Sequence, residues 1–318
     1  MLKWDASLVR WQIKAYICSV IFKYNTKTLY NHLNKEPTML KISNLSYGYL
    51  KNQRIMTDFS LDFEEGGIYG LLGKNGTGKS TLLYLIMGLL HPQQGQVLYK
   101  GIDTRLRRPE TLEDMLIVPE EYNLPAISLK EYIKAMRPFY PRFSEETLQR
   151  CLDGFGMPLD VNLGALSMGQ KKKVYMCIAL AANTGLLLMD EPTNGLDIPS
   201  KSQFRKVVAN SMTDDRIMII STHQVRDVEL LLDRLSVIDN NKVLLNTSMM
   251  EVADKLRFIE TDRNSLSSEA LYYEDSIHGY SAIMKKGEDD GETNVNLELL
   301  FNALLTDSEV IRKAIEEK

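Results

Sequence analysis

The stretch GKNGTGKST, from Gly73 to Thr81, limits the possible folds of this chain more than any other feature. It fits the pattern G-x-x-x-x-G-K-[ST], in which glycines let successive backbone N–H groups turn inward and line an anion site. An apolar run from Gly67 to Leu72 predicts a buried strand before the loop. The run from Thr81 to Met87 predicts a helix after it, whose N-terminus adds positive charge at the same point. This order predicts a site for a nucleoside triphosphate.

Two side chains of the loop have specific expected roles. The ammonium of Lys79 would reach the β- and γ-phosphates, and the hydroxyl of Ser80 would hold Mg²⁺. A glycine-rich turn without a ligand is disfavoured, because the lysine, the serine and both flanks fit the pattern. The predicted phosphate site comprises Gly73, Lys74, Asn75, Gly76, Thr77, Gly78, Lys79, Ser80 and Thr81.

Composition is that of an ordinary globular chain, with 318 residues, 44% hydrophobic and 25% charged. The formal net charge of −4 provides no basic field for nucleic acid. Three cysteines without metal-ligand spacing favour reduced thiols in a cytosolic protein. No stretch approaches the roughly 18 apolar residues of a membrane span, and no signal peptide is recognisable. We therefore expect any membrane role to depend on a partner.

Residues 1–38 are expected to form an N-terminal extension, because their apolar residues recur at roughly helical spacing. One interpretation is an amphipathic helix that lies on a membrane or a partner. The other is a loosely docked helix, or a segment upstream of a start at Met39. The second is favoured, since the helix lacks a strongly basic face.

Strands and helices alternate over residues 39–246, which predicts a parallel α/β sheet. Within it, residues 122–182 have helical periodicity and predict a small inserted helical subdomain. Residues 247–318 predict a C-terminal accessory region with a strand pair around Lys286 to Gly291, followed by a helix from Leu297.

Two buried runs end in polar residues that suit nucleotide hydrolysis. Leu186 to Met189 leads into Asp190, which in P-loop proteins supplies a second Mg²⁺ contact. Glu191 follows and is placed to accept a proton from the attacking water. Ile217 to Ile220 leads into His223. Beyond these motifs, Val225 to Leu235 predicts a helix, and Asn240-Asn241 predicts a hairpin turn.

LSMGQ, from Leu166 to Gln170, makes a family resemblance specific. The chain resembles the nucleotide-binding subunit of an ABC transporter, whose signature LSGGQ lies one helix upstream of the strand that ends at Asp190. Asn194-Gly195-Leu196-Asp197 resembles that family's D-loop, and His223 its switch histidine. The resemblance covers about Met39 to Leu245.

The resemblance implies a P-loop NTPase of the ABC ATPase type. Its doubly wound α/β core would carry an antiparallel β subdomain, an inserted helical subdomain and a small C-terminal accessory region. It implies that Tyr49 stacks on adenine, with Tyr47 as the alternative, and that Glu191, His223 and Lys79 are catalytic. It also implies that the signature and the D-loop take part in nucleotide binding through Ser167, Gly169, Gln170 and Asp197.

Two positions depart from the family pattern. Met168 replaces a signature glycine, so a glycine-only backbone conformation is excluded there; phosphate binding is still expected to survive. Glu120 stands where the family usually has a glutamine. A carboxylate can ligate Mg²⁺ more strongly but cannot donate a hydrogen bond, so Glu120 joins Ser80 and Asp190 as predicted metal ligands. This departure resembles the branch that serves ABC-2-type exporters.

The predicted function is ATP binding and hydrolysis, with Mg²⁺, by a subunit that energises a separately encoded membrane permease of an exporter. The resemblance implies a head-to-tail homodimer, peripheral on the cytoplasmic face of the membrane. No nucleic-acid partner is expected, and the triplet Lys171 to Lys173 is interpreted as a solvated face. A soluble ABC ATPase of translation or DNA repair is the alternative, disfavoured by the single P-loop and the absence of long coiled coils. The LSMGQ stretch disfavours a P-loop small-molecule kinase.

Overall fold

A computed structural model describes residues 38–50, 53–64, 66–263, 265, 269–277, 279–287 and 290–317. The predicted N-terminal extension lies outside this part of the chain, apart from residue 38. The strands are β1 (Thr38–Tyr47), β2 (Met56–Glu64), β3 (Gly67–Leu72), β4 (Gln94–Tyr99), β5 (Ile102–Asp103), β6 (Met115–Val118), β7 (Leu186–Asp190), β8 (Ile217–Thr222), β9 (Arg234–Asp239), β10 (Lys242–Ser248), β11 (Leu256–Thr261), β12 (Tyr272–Ser276) and β13 (Gly279–Lys285). The α-helices are α1 (Lys79–Ile86), α2 (Pro109–Leu112), α3 (Leu129–Met136), α4 (Glu145–Phe155), α5 (Met168–Ala181), α6 (Ile198–Ala209), α7 (Met249–Lys255) and α8 (Leu297–Glu316).

The central sheet has the strand order β10–β9–β3–β8–β7–β6. The strands from β9 to β6 are parallel, and β10 pairs antiparallel with β9. Alternate residues of β7 enter two separate cores, with Leu187 and Met189 in one and Leu186 and Leu188 in the other. This period of two places apolar side chains on both faces of the sheet. The predicted doubly wound α/β core is confirmed.

Each face of the central sheet has its own cover. One core contains side chains of α4, α5 and α6. The other contains α1 and the strands β1, β2 and β4. These strands belong to a four-stranded sheet of order β2–β1–β4–β5, in which β4 pairs antiparallel with both β1 and β5. The parallel strands thus end between a helical layer and an antiparallel β layer, which positions the loops that follow them.

The C-terminal region contains a three-stranded antiparallel sheet of order β11–β13–β12 and the long helix α8. The predicted helix from Leu297 is confirmed. The predicted strand pair around Lys286 to Gly291 is wrong, because β13 ends at Lys285 and no described residue between there and α8 is in a strand. Instead Asp290 accepts the N–H of Gly287 at 2.8 Å and pairs with Arg257 at 2.7 Å, which turns the chain back. The domain boundary near residue 246 stays a prediction.

The helix predicted from Val225 to Leu235 is also wrong. The chain forms two short 3-10 turns, Val225–Asp227 and Glu229–Leu231, and β9 then begins at Arg234. The apolar residues Val225, Val228 and Leu231 recur every three positions, which suits a 3-10 helix as well as an α-helix. The hairpin is confirmed, and its turn residues Asn240 and Asn241 have φ of 44° and 66°.

Candidate functional site

The stretch from Gly73 to Thr81 forms the loop after β3 and the first residues of α1, in the predicted order of strand, loop and helix. Gly76 and Gly78 adopt φ of 82° and 94°, a left-handed conformation that favours glycine. The ammonium of Lys79 donates to the carbonyls of Gly73 at 2.7 Å and Lys74 at 3.1 Å. Burial lowers the pKa of Lys79, and the neighbouring carboxylate of Glu191 opposes this shift. These two hydrogen bonds therefore hold the Lys79 ammonium against the carbonyl oxygens of the glycine loop.

A cavity of about 450 Å³ lies over this loop. It brings together segments that are distant in sequence, namely the glycine loop and the residues that follow β6, β7 and β8. Its lining comprises Ile55, Asn75, Gly76, Gly78, Lys79, Ser80, Thr81, Glu120, Glu191, Asn194 and His223. Such a cavity offers backbone N–H groups, one cation and two carboxylates to a ligand, a donor set that suits a phosphate chain with a divalent cation.

Glu191 is held in a defined orientation. Its backbone has φ of 44°, which is uncommon for a residue other than glycine. Its carboxylate accepts hydrogen bonds from the hydroxyl of Thr222 at 3.0 Å and the backbone N–H of His223 at 3.1 Å. The Nδ1 atom of His223 lies 2.8 Å from Glu191 Oε1, and Lys79 Nζ lies 3.8 Å from the same oxygen. Glu191 and His223, both predicted as catalytic, are thus direct neighbours beside Lys79.

Asp190 is the last residue of β7 and is 2% exposed. Its Oδ1 atom accepts a hydrogen bond from the hydroxyl of Ser221 at 2.5 Å. Ser80 lies at the start of α1 and lines the cavity, as does Glu120. Glu120 Oε1 accepts the side-chain amide of Asn194 at 2.9 Å. Of the three predicted metal ligands, Ser80 and Glu120 therefore line the cavity, while Asp190, at the end of β7, is not among its lining residues.

The two candidate adenine-stacking residues differ in exposure. Tyr49 is 58% exposed, and its hydroxyl lies 3.3 Å from that of Thr81. Tyr47 is buried in the core, with its ring centroid 5.2 Å from that of Tyr49 in an edge-to-face pair. Only the exposed ring has a free face for a base, so the geometry favours Tyr49 over the alternative Tyr47.

The signature residues lie at the N-terminus of α5, outside the cavity lining. Ser167 caps the helix by accepting the N–H of Gln170 at 3.3 Å, and Gln170 Oε1 accepts the N–H of Ser167 at 3.0 Å. Met168 is the first residue of this helix and has no positive φ, so its backbone does not require glycine. Gly169 approaches the carbonyl of Gly195 in the D-loop. The signature and the D-loop are thus neighbours.

Asp197 ends the D-loop and caps α6. Its carboxylate accepts the N–H of Ser200 at 2.8 Å. Hydrogen bonds from the Ser200 side chain and, to a smaller extent, from its backbone N–H lower the pKa of Asp197. The D-loop aspartate is therefore ionised and fixed at the first turn of α6, where a negative charge is favourable.

Sequence reasoning missed Lys172, and the interpretation of the triplet Lys171 to Lys173 as a solvated face is wrong at this position. Lys172 is 8% exposed and donates to the carbonyls of Glu191 at 3.1 Å and Asn194 at 2.9 Å. Helical periodicity offered a signal, since Lys172 shares a face with the buried residues Met176 and Ala179 four and seven positions later.

The fold and this cavity define a P-loop NTPase in which the loops that line the cavity follow neighbouring parallel strands. A family model described as ABC transporter matches residues 56–194. The ATP-binding protein NatA of Bacillus subtilis is 30% identical over 64% of this chain and 86% of its own length. The lantibiotic transport ATP-binding protein SrtF of Streptococcus pyogenes is 30% identical over 65% of this chain and 90% of its own. The solved structure of cbiO1 from Clostridium perfringens, part of the ABC transporter complex cbiONQ, covers 68% of this chain and 90% of that chain, with 28% identity and a TM-score of 0.56.

The chain therefore belongs to the family of ABC transporter ATP-binding subunits and is an ATP-hydrolysing transporter subunit, as the signature predicted. ATP-binding subunits of this family pair with a membrane permease. Within the described part of this chain, no helix is both long enough and apolar enough to span a bilayer.

Proposed function

We propose that the chain binds Mg-ATP in the cavity above the glycine loop, hydrolyses it in a head-to-tail homodimer, and energises a separately encoded permease of the exporter type. The observation that carries this proposal is the meeting of Lys79, Glu120, Glu191 and His223 in one cavity of about 450 Å³. Residues from four separate segments converge there on the N-terminus of α1, where a phosphate chain is stabilised.

The glycine loop would bind the phosphates of ATP. Backbone N–H groups from Gly73 to Thr81 and the ammonium of Lys79 would hold the phosphates, so Lys79 must exchange its contacts with the loop carbonyls for contacts with the ligand. The exposed ring of Tyr49 stands at the edge of the loop, beside Thr81, and would stack on adenine.

The oxygen donors of Ser80, Asp190 and Glu120 fit Mg²⁺, which binds through one or two carboxylates and the substrate's phosphates rather than an all-protein cage. When bound, the ion would neutralise charge on the phosphates.

Hydrolysis would depend on the neighbours Glu191 and His223. Glu191 would accept a proton from water that attacks the γ-phosphorus, and its contacts with Thr222 and His223 orient the carboxylate for this step. His223 would contact the γ-phosphate, since its ring lies at the cavity wall with Nδ1 toward Glu191. The residue that accepts the proton and the residue that contacts the γ-phosphate would thus be in direct contact with each other.

The dimer proposal rests on the position of the signature. Ser167, Gly169 and Gln170 are at the N-terminus of a 14-residue helix, a good anion site, yet they do not line the cavity of their own chain. They would complete the nucleotide site of a second copy, as would the neighbouring D-loop with Asp197. Exposure of Met168, at 67%, is consistent with a surface that a partner covers.

The permease proposal rests on the family and on Glu120. The similarity to a lantibiotic transport ATP-binding protein supports an exporter, with this chain peripheral on the cytoplasmic face of a membrane. A soluble ABC ATPase of translation or repair type stays the alternative. Identifying the membrane protein that co-purifies with the full chain in mild detergent separates the two; recovery with ribosomes or DNA would support the alternative.

The enzymatic test compares the full chain with Lys79→Ala in a phosphate-release assay at varied Mg²⁺. We expect hydrolysis to require Mg²⁺ and to be lost in the variant, together with tight ATP binding, because the point charge on the β- and γ-phosphates is gone. Lys74→Ala is the matched control, since this exposed loop lysine contributes its backbone carbonyl rather than its ammonium to the described contacts. Equal hydrolysis by Lys79→Ala and the wild type would refute the assignment of the site.

A further inference from the structure

A chain of side-chain hydrogen bonds connects the metal-facing carboxylate to helix α6. The Nδ2 atom of Asn194 donates to Glu120 Oε1 at 2.9 Å, and Gln224 Nε2 donates to Asn194 Oδ1 at 3.0 Å. Lys201 Nζ, in α6, donates to Gln224 Oε1 at 3.1 Å and forms an ion pair with Asp227 at 2.7 Å. We call Glu120, Asn194, Gln224 and Lys201 the amide chain. Its first two links join the segments after β6, β7 and β8, and the third link connects them to α6.

The two ends of the amide chain fix its direction. An ionised carboxylate only accepts hydrogen bonds, and an ammonium only donates them. Each amide between them has one oxygen and one NH₂ group. All three links are therefore satisfied only when both NH₂ groups point toward Glu120, and reversal of either amide would place like groups against each other.

The same chain reaches Glu191 by a short branch. The backbone N–H of Gln224 donates to the hydroxyl of Thr222 at 2.9 Å, and that hydroxyl donates to Glu191 Oε2 at 3.0 Å. Gln224 also directly follows His223. A shift of Gln224 would therefore disturb both residues that are proposed to act on the γ-phosphate.

We propose that Asn194, Gln224 and Lys201 are positioning residues: they lock the orientation of Glu120 and tie it to Glu191 and His223, so that the metal-facing carboxylate and the proton acceptor are set together. The proposal rests on the function proposed above. It gives a positioning role to Asn194 within the D-loop, and to Gln224 and Lys201, which lie outside the motifs. The carboxylate at position 120 can only accept from Asn194, which matches the direction that the Lys201 ammonium imposes on both amides.

The test exchanges the polarity of the first link. Asn194→Asp places two carboxylates face to face, which breaks the link and leaves the volume nearly unchanged. Adding Glu120→Gln to this variant restores the link in reverse: the new amide donates to one oxygen of residue 194, and the other oxygen still accepts from Gln224. Asn194→Leu removes the link in a way that no amide at position 120 can repair.

In the full chain we expect kcat to fall about tenfold in Asn194→Asp, the scale of one hydrogen bond to a charged group, with KM for ATP nearly unchanged. Glu120→Gln should recover most of this loss in Asn194→Asp and none of it in Asn194→Leu. The double variant should still need more Mg²⁺ than the wild type for its half-maximal rate, because it lacks the Glu120 carboxylate that is proposed to ligate the ion. This persistent Mg²⁺ requirement separates the positioning role from metal binding.

A second variant keeps the proposal testable if Asn194→Asp does not fold. Gln224→Glu retains the acceptor for Lys201 but cannot donate to Asn194, so it should show the same loss of kcat. Gln203→Glu is the matched control, since Gln203 also accepts from a lysine, Lys173 at 3.3 Å, but lies outside the amide chain. Wild-type kcat in Gln224→Glu, or no recovery of Asn194→Asp by Glu120→Gln, would overturn the proposal. If the wild type itself did not hydrolyse ATP, the proposed function would fail instead.

Discussion

The ammonium of Lys172 donates to the backbone carbonyl of Glu191 across 3.1 Å. Lys172 lies in α5, the helix that begins with the signature, and Glu191 follows the strand β7. Burial lowers the pKa of Lys172, while the carboxylates of Glu120, Glu191 and Asp190 oppose this shift and favour the charged form. The helix proposed to act on a partner's ATP is thus fastened to the turn that carries the proposed proton acceptor of its own site.

Lys172→Met should lower kcat for ATP hydrolysis by about tenfold to a hundredfold. The variant leaves two buried carbonyls, those of Glu191 and Asn194, without this donor, and a displacement of the turn misplaces the Glu191 carboxylate. Nucleotide affinity should change little, because the glycine loop is unaltered. Phosphate release and binding of a fluorescent ATP analogue measure the two quantities separately.

Lys171→Met is the matched control, since this neighbouring lysine lies on a more exposed face of the same helix. It removes the same charge and should leave kcat close to the wild type. Lys172→Arg keeps the charge and should retain part of the activity. Identical kcat values for Lys171→Met and Lys172→Met would show that the buried contacts do not position Glu191.

Glu191→Gln should slow hydrolysis by about 10²–10⁴-fold, the usual scale for loss of a general base. ATP binding should persist, and the ATP-bound dimer should accumulate, because removal of the charge relieves repulsion from the γ-phosphate. Asp190→Asn should differ by also losing Mg²⁺-dependent affinity. Size-exclusion chromatography with Mg-ATP and a phosphate-release assay compare the two variants. Normal hydrolysis by Glu191→Gln would assign proton acceptance to another group.

Local chemistry explains what the sequence could predict. The glycine loop between β3 and α1 needs glycines at positions of positive φ, and Asn240-Asn241 turn a hairpin for the same backbone reason. Ser144 and Ser167 cap helices within three residues of themselves. Each of these features is determined by neighbours along the chain, so the residue types alone reveal it.

Features that depend on distant partners were not predictable from residue types. A lysine triplet suggests a solvated face, yet Lys172 finds carbonyl acceptors 19 and 22 positions along the chain. Glu120 was predicted to face the metal. Its hydrogen bond to Asn194 was not predictable, because the two residues are 74 positions apart in the sequence. The 3-10 turns after His223 lead to Asp233, whose carboxylate accepts the N–H of Ile68 in β3 at 2.8 Å, a contact between residues 165 positions apart.

Ser167→Arg should abolish ATP-driven dimer formation and hydrolysis while ATP still binds, since the variant's own glycine loop is intact. The substitution also removes a helix cap, which costs about 1 kcal/mol of stability. Ser248→Arg is the matched control, because Ser248 forms the same capping box at α7, with Glu251 in place of Gln170. If both variants hydrolyse ATP alike after correction for folded fraction, the head-to-tail arrangement is wrong.

Asp114→Asn should destabilise the fold at neutral pH and have a smaller effect in acid. Burial alone would raise the pKa of Asp114, but hydrogen bonds from Lys100 Nζ at 2.7 Å, the hydroxyl of Tyr99 at 2.7 Å and the N–H of Gly185 at 2.8 Å hold this pKa below its ordinary value. Because the folded state then binds fewer protons than the unfolded state, the carboxylate stabilises the fold fully above its unfolded pKa of about 4. This stabilisation is lost as the pH falls through the lower, folded pKa.

The urea midpoint of Asp114→Asn should therefore lie below that of the wild type at pH 7, by an amount that corresponds to about 1–3 kcal/mol. The difference should shrink as the pH falls below about 4, because the wild-type carboxylate becomes protonated and loses the same contacts. Asp62→Asn, at an exposed position of β2, controls for the change in net charge and should match the wild type at both pH values. A midpoint difference that stays constant from pH 7 to pH 3 would mean that Asp114 acts through its shape and not through its ionised carboxylate.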